Sequence, residues 1–91
     1  MPRVDLLFFP GCPHLEAART QLKAAFTRLD LPASWTERDD AQGYGSPTIL
    51  VNGVDVMGAS PGNDASCRLY VGTEVPGAPP LQALLRALTT F

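Results

Sequence analysis

The stretch Phe8-Phe9-Pro10-Gly11-Cys12-Pro13-His14-Leu15 decides how the rest of the chain is read. An apolar run ends in a Pro-Gly pair, the strongest kind of local breaker. A single cysteine follows, and from Leu15 onward the apolar residues recur at helical spacing. Before it, Val4 to Phe9 reads as a strand buried on both faces, with only Asp5 interrupting the apolar run. After it, a helix is expected to start at Cys12 or Pro13, because proline suits the first helical position. Leu15, Ala18, Leu22, Ala25, Phe26 and Leu29 form one stripe, with Glu16, Arg19, Thr20, Lys23 and Thr27 on the wet side, and the stripe reads as core packing.

Asp30-Leu31-Pro32 stops that helix, and Ala33 to Arg38 reads as a second strand. Asp39 to Ser46 is turn-rich and too short for a crossover helix. Thr48 to Val51 and Val54 to Met57 flank Asn52-Gly53, a dipeptide that specifies a tight hairpin between apolar runs. Gly58 to Ser66 is a loop of small residues, Cys67 to Val71 reads as a short edge strand, and Gly72 to Pro80 is a second loop. A last helix runs from Pro80 or Leu81 to Thr89, with Leu81, Leu84, Leu85 and Leu88 on one face. The order is strand, helix, strand, hairpin, helix. It predicts one α/β domain over residues 1–91: a right-handed βαβ unit, a hairpin joined to the same mixed four-stranded sheet, and helices covering its faces.

Ninety-one residues leave room for one domain, and 45% hydrophobic with 18% charged residues is ordinary for a globular chain. The net charge of -2, with scattered Lys and Arg, gives no nucleic-acid face. No apolar run approaches the ~20 residues that span a bilayer. The first residues lack a signal-peptide pattern, so a cytoplasmic location is expected. Two cysteines, Cys12 and Cys67, are too few for a disulfide framework. In a reducing compartment such cysteines are catalytic, redox-sensing or metal-binding more often than structural.

A thiol at a helix N-terminus meets unsatisfied N–H groups and partial positive charge, which favour the nucleophilic thiolate. The strand-to-helix turn also lies at the carboxyl end of a strand, where open α/β sheets place ligands. His14, the one histidine, would add to that stabilisation if protonated; otherwise it is an exposed first-turn residue. Pro13 fixes the helix start. For Cys12 the alternative is a small buried hydrophobe, which its place between Gly11 and Pro13 argues against.

Gly-Cys-Pro-His after an apolar strand and before an amphipathic helix resembles the thioredoxin superfamily, whose Cys-x-x-Cys motif stands at this position. More narrowly, with Ser46-Pro47-Thr48, a hairpin and a later Cys67-Arg68-Leu69-Tyr70, the chain looks like small bacterial thioredoxin- and glutaredoxin-like proteins, some bearing an alkylmercury-lyase label. The resemblance implies a thioredoxin-like three-layer sandwich, minimal βαβ-ββα, with a shortened or missing second helix. It implies that Ser46-Pro47-Thr48 is the cis-proline element beside the active cysteine, with a cis Ser46–Pro47 bond, presenting backbone to a substrate. It also implies that Asp64, in Gly62-Asn63-Asp64, corresponds loosely to the region where glutaredoxins hold glutathione.

The fourth motif position is Leu15, so the usual resolving cysteine is missing. Three chemistries remain open. Cys12 acts as a monothiol resolved by glutathione or another small thiol; or Cys67 resolves from a distance, the alternative for Cys67 being a half-buried edge-strand residue; or the domain binds without turnover. The expected partner of the first two is a protein or small-molecule thiol or disulfide, with glutathione a co-substrate and no resident cofactor. A different class is soft-metal or organomercurial handling by Cys12, His14 and Cys67, two thiolates suiting Hg(II) or Cu(I), with Asp64 the available proton donor. A third is a catalytically degenerate binding module whose groove lies along Ser46-Pro47-Thr48 and Phe8-Phe9. A monomer or a weak homodimer through an edge strand near Cys67 is expected.

Overall fold

In a computed structural model, residues 3–40, 44–58, 70, 73 and 77–89 are described. Four strands and two helices follow in the order β1 (Val4–Leu7), α1 (Leu15–Arg28), β2 (Thr36–Arg38), β3 (Thr48–Val51), β4 (Val54–Asp55) and α2 (Leu81–Thr89). The sheet order is β2-β1-β3-β4. β1 pairs in parallel with β2, Asp5 opposite Thr36, and antiparallel with β3, Val4 opposite Val51 and Leu7 opposite Thr48. The result is a small α/β fold with a mixed four-stranded sheet. The expected strand at Cys67 to Val71 lies largely outside the described residues, Tyr70 apart.

Alternation along β1 and β3 sends Val4, Leu6, Ile49 and Val51 to one face, as the two-residue period of a strand requires. There they join Ala18, Leu22, Ala25 and Phe26 of α1 and Leu84 and Leu88 of α2 in a single core. Both helices therefore serve the same face, and among the described residues the layers are two. The expectation that the helices would divide between the faces fails for this reason. Gln21, a polar residue inside the buried stripe of α1, joins the helical layer together: its Nε2 donates to the Pro79 carbonyl at 3.1 Å, just before α2.

Element ends follow from where backbone groups find partners. β1 ends at Leu7 rather than Phe9. Phe8 still donates to the Arg38 carbonyl at 3.0 Å, but the Phe9 N–H leaves the ladder for the Ser46 hydroxyl. β2 begins at Thr36 rather than Ala33, and Trp35 instead stacks on Phe26 with ring centroids 6.2 Å apart. β4 stops at Asp55 rather than Met57, because the Asp55 carboxylate accepts from the Met57 N–H at 3.2 Å and its carbonyl from Gly58 at 2.8 Å, turning the chain. α1 closes with Asp30 at φ 56°, Asp30 N–H donating to Thr27 and Leu31 N–H to Phe26, the six-to-one closure of a Schellman motif. Asn52 and Gly53 take φ 53° and 82°, the pair of positive values that the tight hairpin turn needs. No helix among the described residues is long and apolar enough to cross a membrane.

Candidate functional site

The site is built on the turn that follows β1. Pro10 and Gly11 occupy its two central positions, Gly11 at φ 81°, and the Cys12 N–H donates back to the Phe9 carbonyl at 3.0 Å. Proline then glycine at positive φ is the signature of a type II turn. A second, looser turn follows, with Leu15 N–H donating to the Cys12 carbonyl at 3.5 Å, and only then does the α-helical pattern start, Ala18 N–H to His14 carbonyl at 3.1 Å. The N-cap is His14, and its side chain makes no capping bond. The sequence placed the helix start at Cys12 or Pro13. The structure puts Cys12 upstream of the cap, in the connecting turn, because the two successive turns use up the residues in between. Cys12 is a free thiol, half-buried, between exposed Gly11 and exposed Pro13.

The segment ahead of β3 comes to this turn. Ser46 is wholly buried, and its Oγ accepts the Phe9 N–H at 3.0 Å. The Ser46–Pro47 peptide bond is cis, as the resemblance implied. Two further hydroxyls hold the same segment. Thr48 Oγ1 donates to the Gly45 carbonyl at 2.6 Å, and the Tyr70 hydroxyl donates to the Pro47 carbonyl at 2.7 Å. A backbone carbonyl held by a side-chain donor is fixed in direction, which is what a segment that presents backbone to a ligand requires. Ser46, Pro47 and Thr48 are thus brought to the thiol turn. Cys67 and Asp64 lie outside the described residues.

Comparison of the chain with family models, with curated proteins and with solved structures finds no match.

His14 meets the turn before α2. Its ring packs there on Gly77, a buried glycine at φ 89°. Beside the thiol turn, the carboxyl ends of β1 and β2 open into a polar groove of about 550 Å³, lined by Phe8, Glu37, Arg38, Asp39 and Asp40. Glu37 is committed to structure there. Arg19 Nε and Nη2 donate to its two oxygens at 2.7 and 2.6 Å, and Trp35 Nε1 donates to Oε2 at 3.1 Å. The Arg19 guanidinium holds the Glu37 carboxyl below its ordinary range, and in return Glu37 and then Glu16 raise Arg19 further into its charged form. A more apolar groove of about 390 Å³ lies away from the thiol, between the hairpin and α2, with Val51, Val54, Val56, Ala83 and Ala87 among its lining. Among the described residues no three His, Cys, Asp or Glu side chains gather as a metal cage.

Tyr70 and Gly77 were missed by sequence reasoning. Tyr70 stood in the quoted Cys67-Arg68-Leu69-Tyr70 run without a role, and its partner Pro47 is 23 residues away. Gly77 stood in a loop whose composition gave no sign that a side chain on α1 would press on it.

Proposed function

We propose that this chain is a thioredoxin-like domain that carries out thiol–disulfide exchange through Cys12. The observation that carries the reading is the Phe9 N–H to Ser46 Oγ bond. It ties the turn holding the thiol to the Ser46-Pro47-Thr48 segment, so a nucleophile and a fixed stretch of backbone share one end of the sheet. A central β1, parallel to β2 and antiparallel to β3, supports the same reading.

The chemistry assigned to the site is a series of displacements. The Cys12 thiolate attacks one sulfur of a substrate disulfide; a new S–S bond forms to Cys12, the old one breaks, and the other sulfur leaves as a thiolate that takes up a proton. In the Cys67 route the Cys67 thiolate attacks the Cys12 sulfur of the mixed disulfide, the second substrate sulfur leaves as a thiolate that takes up a proton, and Cys12 and Cys67 end as a disulfide. In the glutathione route one glutathione displaces the substrate sulfur from Cys12 and a second then displaces Cys12 as a thiolate, giving glutathione disulfide; in both, the substrate ends as two thiols. Backbone of the Ser46-Pro47 segment, steadied by Tyr70 and Thr48, would pair with the extended partner. A protonated His14 would favour the thiolate over the thiol.

The test is intact mass with a free-thiol count after mild oxidation, with and without glutathione, on the native chain and on Cys12→Ser. A glutathione adduct on Cys12 with Cys67 still free assigns the monothiol route. Loss of two protons and both thiols within the monomer assigns resolution by Cys67. Both thiols staying free, or exchange activity persisting in full in Cys12→Ser, overturns the proposal.

A further inference from the structure

The groove between the hairpin and α2 lies outside the thiol site, and its lining has a chemistry of its own. Val51 and Val54 are register partners, and the Val56 N–H donates to the Ile49 carbonyl at 3.0 Å. All three valines therefore stand on the sheet face that carries Ile49. Opposite them α2 presents Ala83 and Ala87, four residues apart on one helix face. Alanine facing valine leaves the two layers apart. A groove of about 390 Å³ remains, at the lower end of the range for small-molecule sites. α2 is kept from tilting in to close it, because Leu84 and Leu88 are buried in the core and Gln21 holds the Pro79 carbonyl just before the helix. The outer end is open, with Val54 64% exposed.

The side-chain polar groups at the groove are hydrogen-bond donors. Asn52 accepts the Arg3 N–H on its Oδ1 at 2.9 Å, and its Nδ2 can only donate. Arg86, exposed on α2, brings a guanidinium, which has a charge and donors but no acceptor. Asp55 is the acidic residue of the lining, but it pairs in register with Leu50, on the opposite face of the sheet. Its carboxylate is therefore directed away from the groove, where it accepts from the Met57 N–H at 3.2 Å. An apolar cleft with donors and one cation at its edge complements an aliphatic chain that ends in an anionic acceptor. We propose that this groove binds a small amphiphile with a carboxylate head, the chain lying between the valines and the two alanines and the head at Arg86 and Asn52. A chain of about ten carbons suits a groove of this size. The site is separate from the Cys12 turn and does not depend on the reaction proposed there.

The probe is sodium decanoate, kept below its micelle concentration, titrated into the native chain and followed by backbone amide NMR shifts. One saturating site is expected, with shifts confined to residues 51–56 and 83–87 and none at Cys12. Affinity should rise by about fourfold at most for each methylene from octanoate to decanoate, then level off once the chain outgrows the groove. Decanol, with the same chain and no charge, should bind about three- to tenfold more weakly, and Arg86→Gln should remove that difference. Ala87→Leu places a larger side chain in the cleft and should abolish binding. Val54→Asp, at an exposed position, sets a like charge against the head and should do the same where Ala87→Leu does not fold. Binding that does not saturate, or shifts spread over the whole molecule, would overturn the proposal. So would decanol binding the native chain as tightly as decanoate, or undiminished binding in both Ala87→Leu and Val54→Asp. A native dimer in sedimentation, with the groove resonances moving on dilution and unmoved by decanoate, would give the groove to a second copy of the chain and end the proposal.

Discussion

On one face of the β1–β3 pair stand Val4, Leu6, Ile49 and Val51; on the other stand Asp5, Leu7, Thr48 and Leu50. The two sets are equally withdrawn from solvent, none of the eight being more than 6% exposed. They are furnished differently. The first set is wholly apolar and meets both helices. The second buries a carboxylate and a hydroxyl among two leucines. Arg3 Nε donates to Asp5 Oδ2 at 3.1 Å, and Arg38 Nε lies 3.5 Å from Oδ1, which accepts no hydrogen bond among the described residues. Thr48 uses its hydroxyl on Gly45, next to Ser46. Burial alone thus does not say what a face contributes. The apolar face supplies the driving force for folding. The mixed face gives part of that up to fix strand ends and the segment that meets the thiol turn.

The largest expected effect lies on the apolar face. Leu6 is fully buried between both helices and Ile49. Leu6→Ala should cost about 2–5 kcal/mol, transfer plus cavity, against a total of about 5–15 kcal/mol for a small domain. Denaturant unfolding reads this as a large fall in midpoint with an unchanged slope. A cost under about 1 kcal/mol would mean that the two faces are energetically alike.

On the mixed face the order of effects should depend on which partner is removed. Arg3 and Arg38 are largely exposed, whereas the Asp5 carboxylate is not. Asp5→Asn takes away the buried charge and leaves two arginines in water. Arg3→Ala with Arg38→Ala leaves a buried carboxylate without cations and should cost about 1–3 kcal/mol more than Asp5→Asn. Equal costs would show that water reaches Asp5 as freely as it reaches the arginines.

What could be read from the sequence follows the same division. The apolar stripe of α1, the Asn52-Gly53 turn and the leucine face of α2 announce themselves locally, because period and turn chemistry are set by residues a few positions apart. Cys12 and Ser46-Pro47-Thr48 stood out as motifs. What could not be read depends on distant partners. Gln21 is buried with its amide N–H donated to the Pro79 carbonyl, 58 residues on. The helix start was misplaced because the Pro10-Gly11 turn and the turn after it both precede α1, and spacing alone does not reveal two turns in succession. That both helices share one face is likewise a property of packing, not of either helix.

Between the two faces in size stands the contact that joins scaffold to site. Ser46→Ala removes the acceptor of the Phe9 N–H, leaving a partly buried donor unpaired at a cost of about 1–2 kcal/mol. Its second consequence separates it from an ordinary structural loss. Slower thiol exchange by Cys12 at a pH and temperature where the protein is fully folded is expected, with recovery in Ser46→Thr, which keeps an oxygen in place. If exchange is unchanged while stability falls, the thiol turn does not depend on the Ser46 tether.

The smallest effect concerns the edge strand β2, whose three residues are all substantially exposed. Here Glu37 accepts from Arg19 on α1, and the pairing lowers its folded-state pKa from the ordinary 4.5. A carboxyl lowered on folding stabilises the folded state above its unfolded value, and the contribution is lost as pH falls through the folded one. The difference in thermal midpoint between the native chain and Glu37→Gln should therefore be constant from about pH 7 down to the ordinary carboxylate range, then shrink as the pH falls below that range. Added salt should reduce the plateau, since the Arg19 end of the pair is open to solvent and screening acts on it directly. A difference that stays level across the whole range would mean that Glu37 holds β2 to α1 through the Trp35 hydrogen bond and side-chain packing, with the charge on its carboxylate contributing nothing.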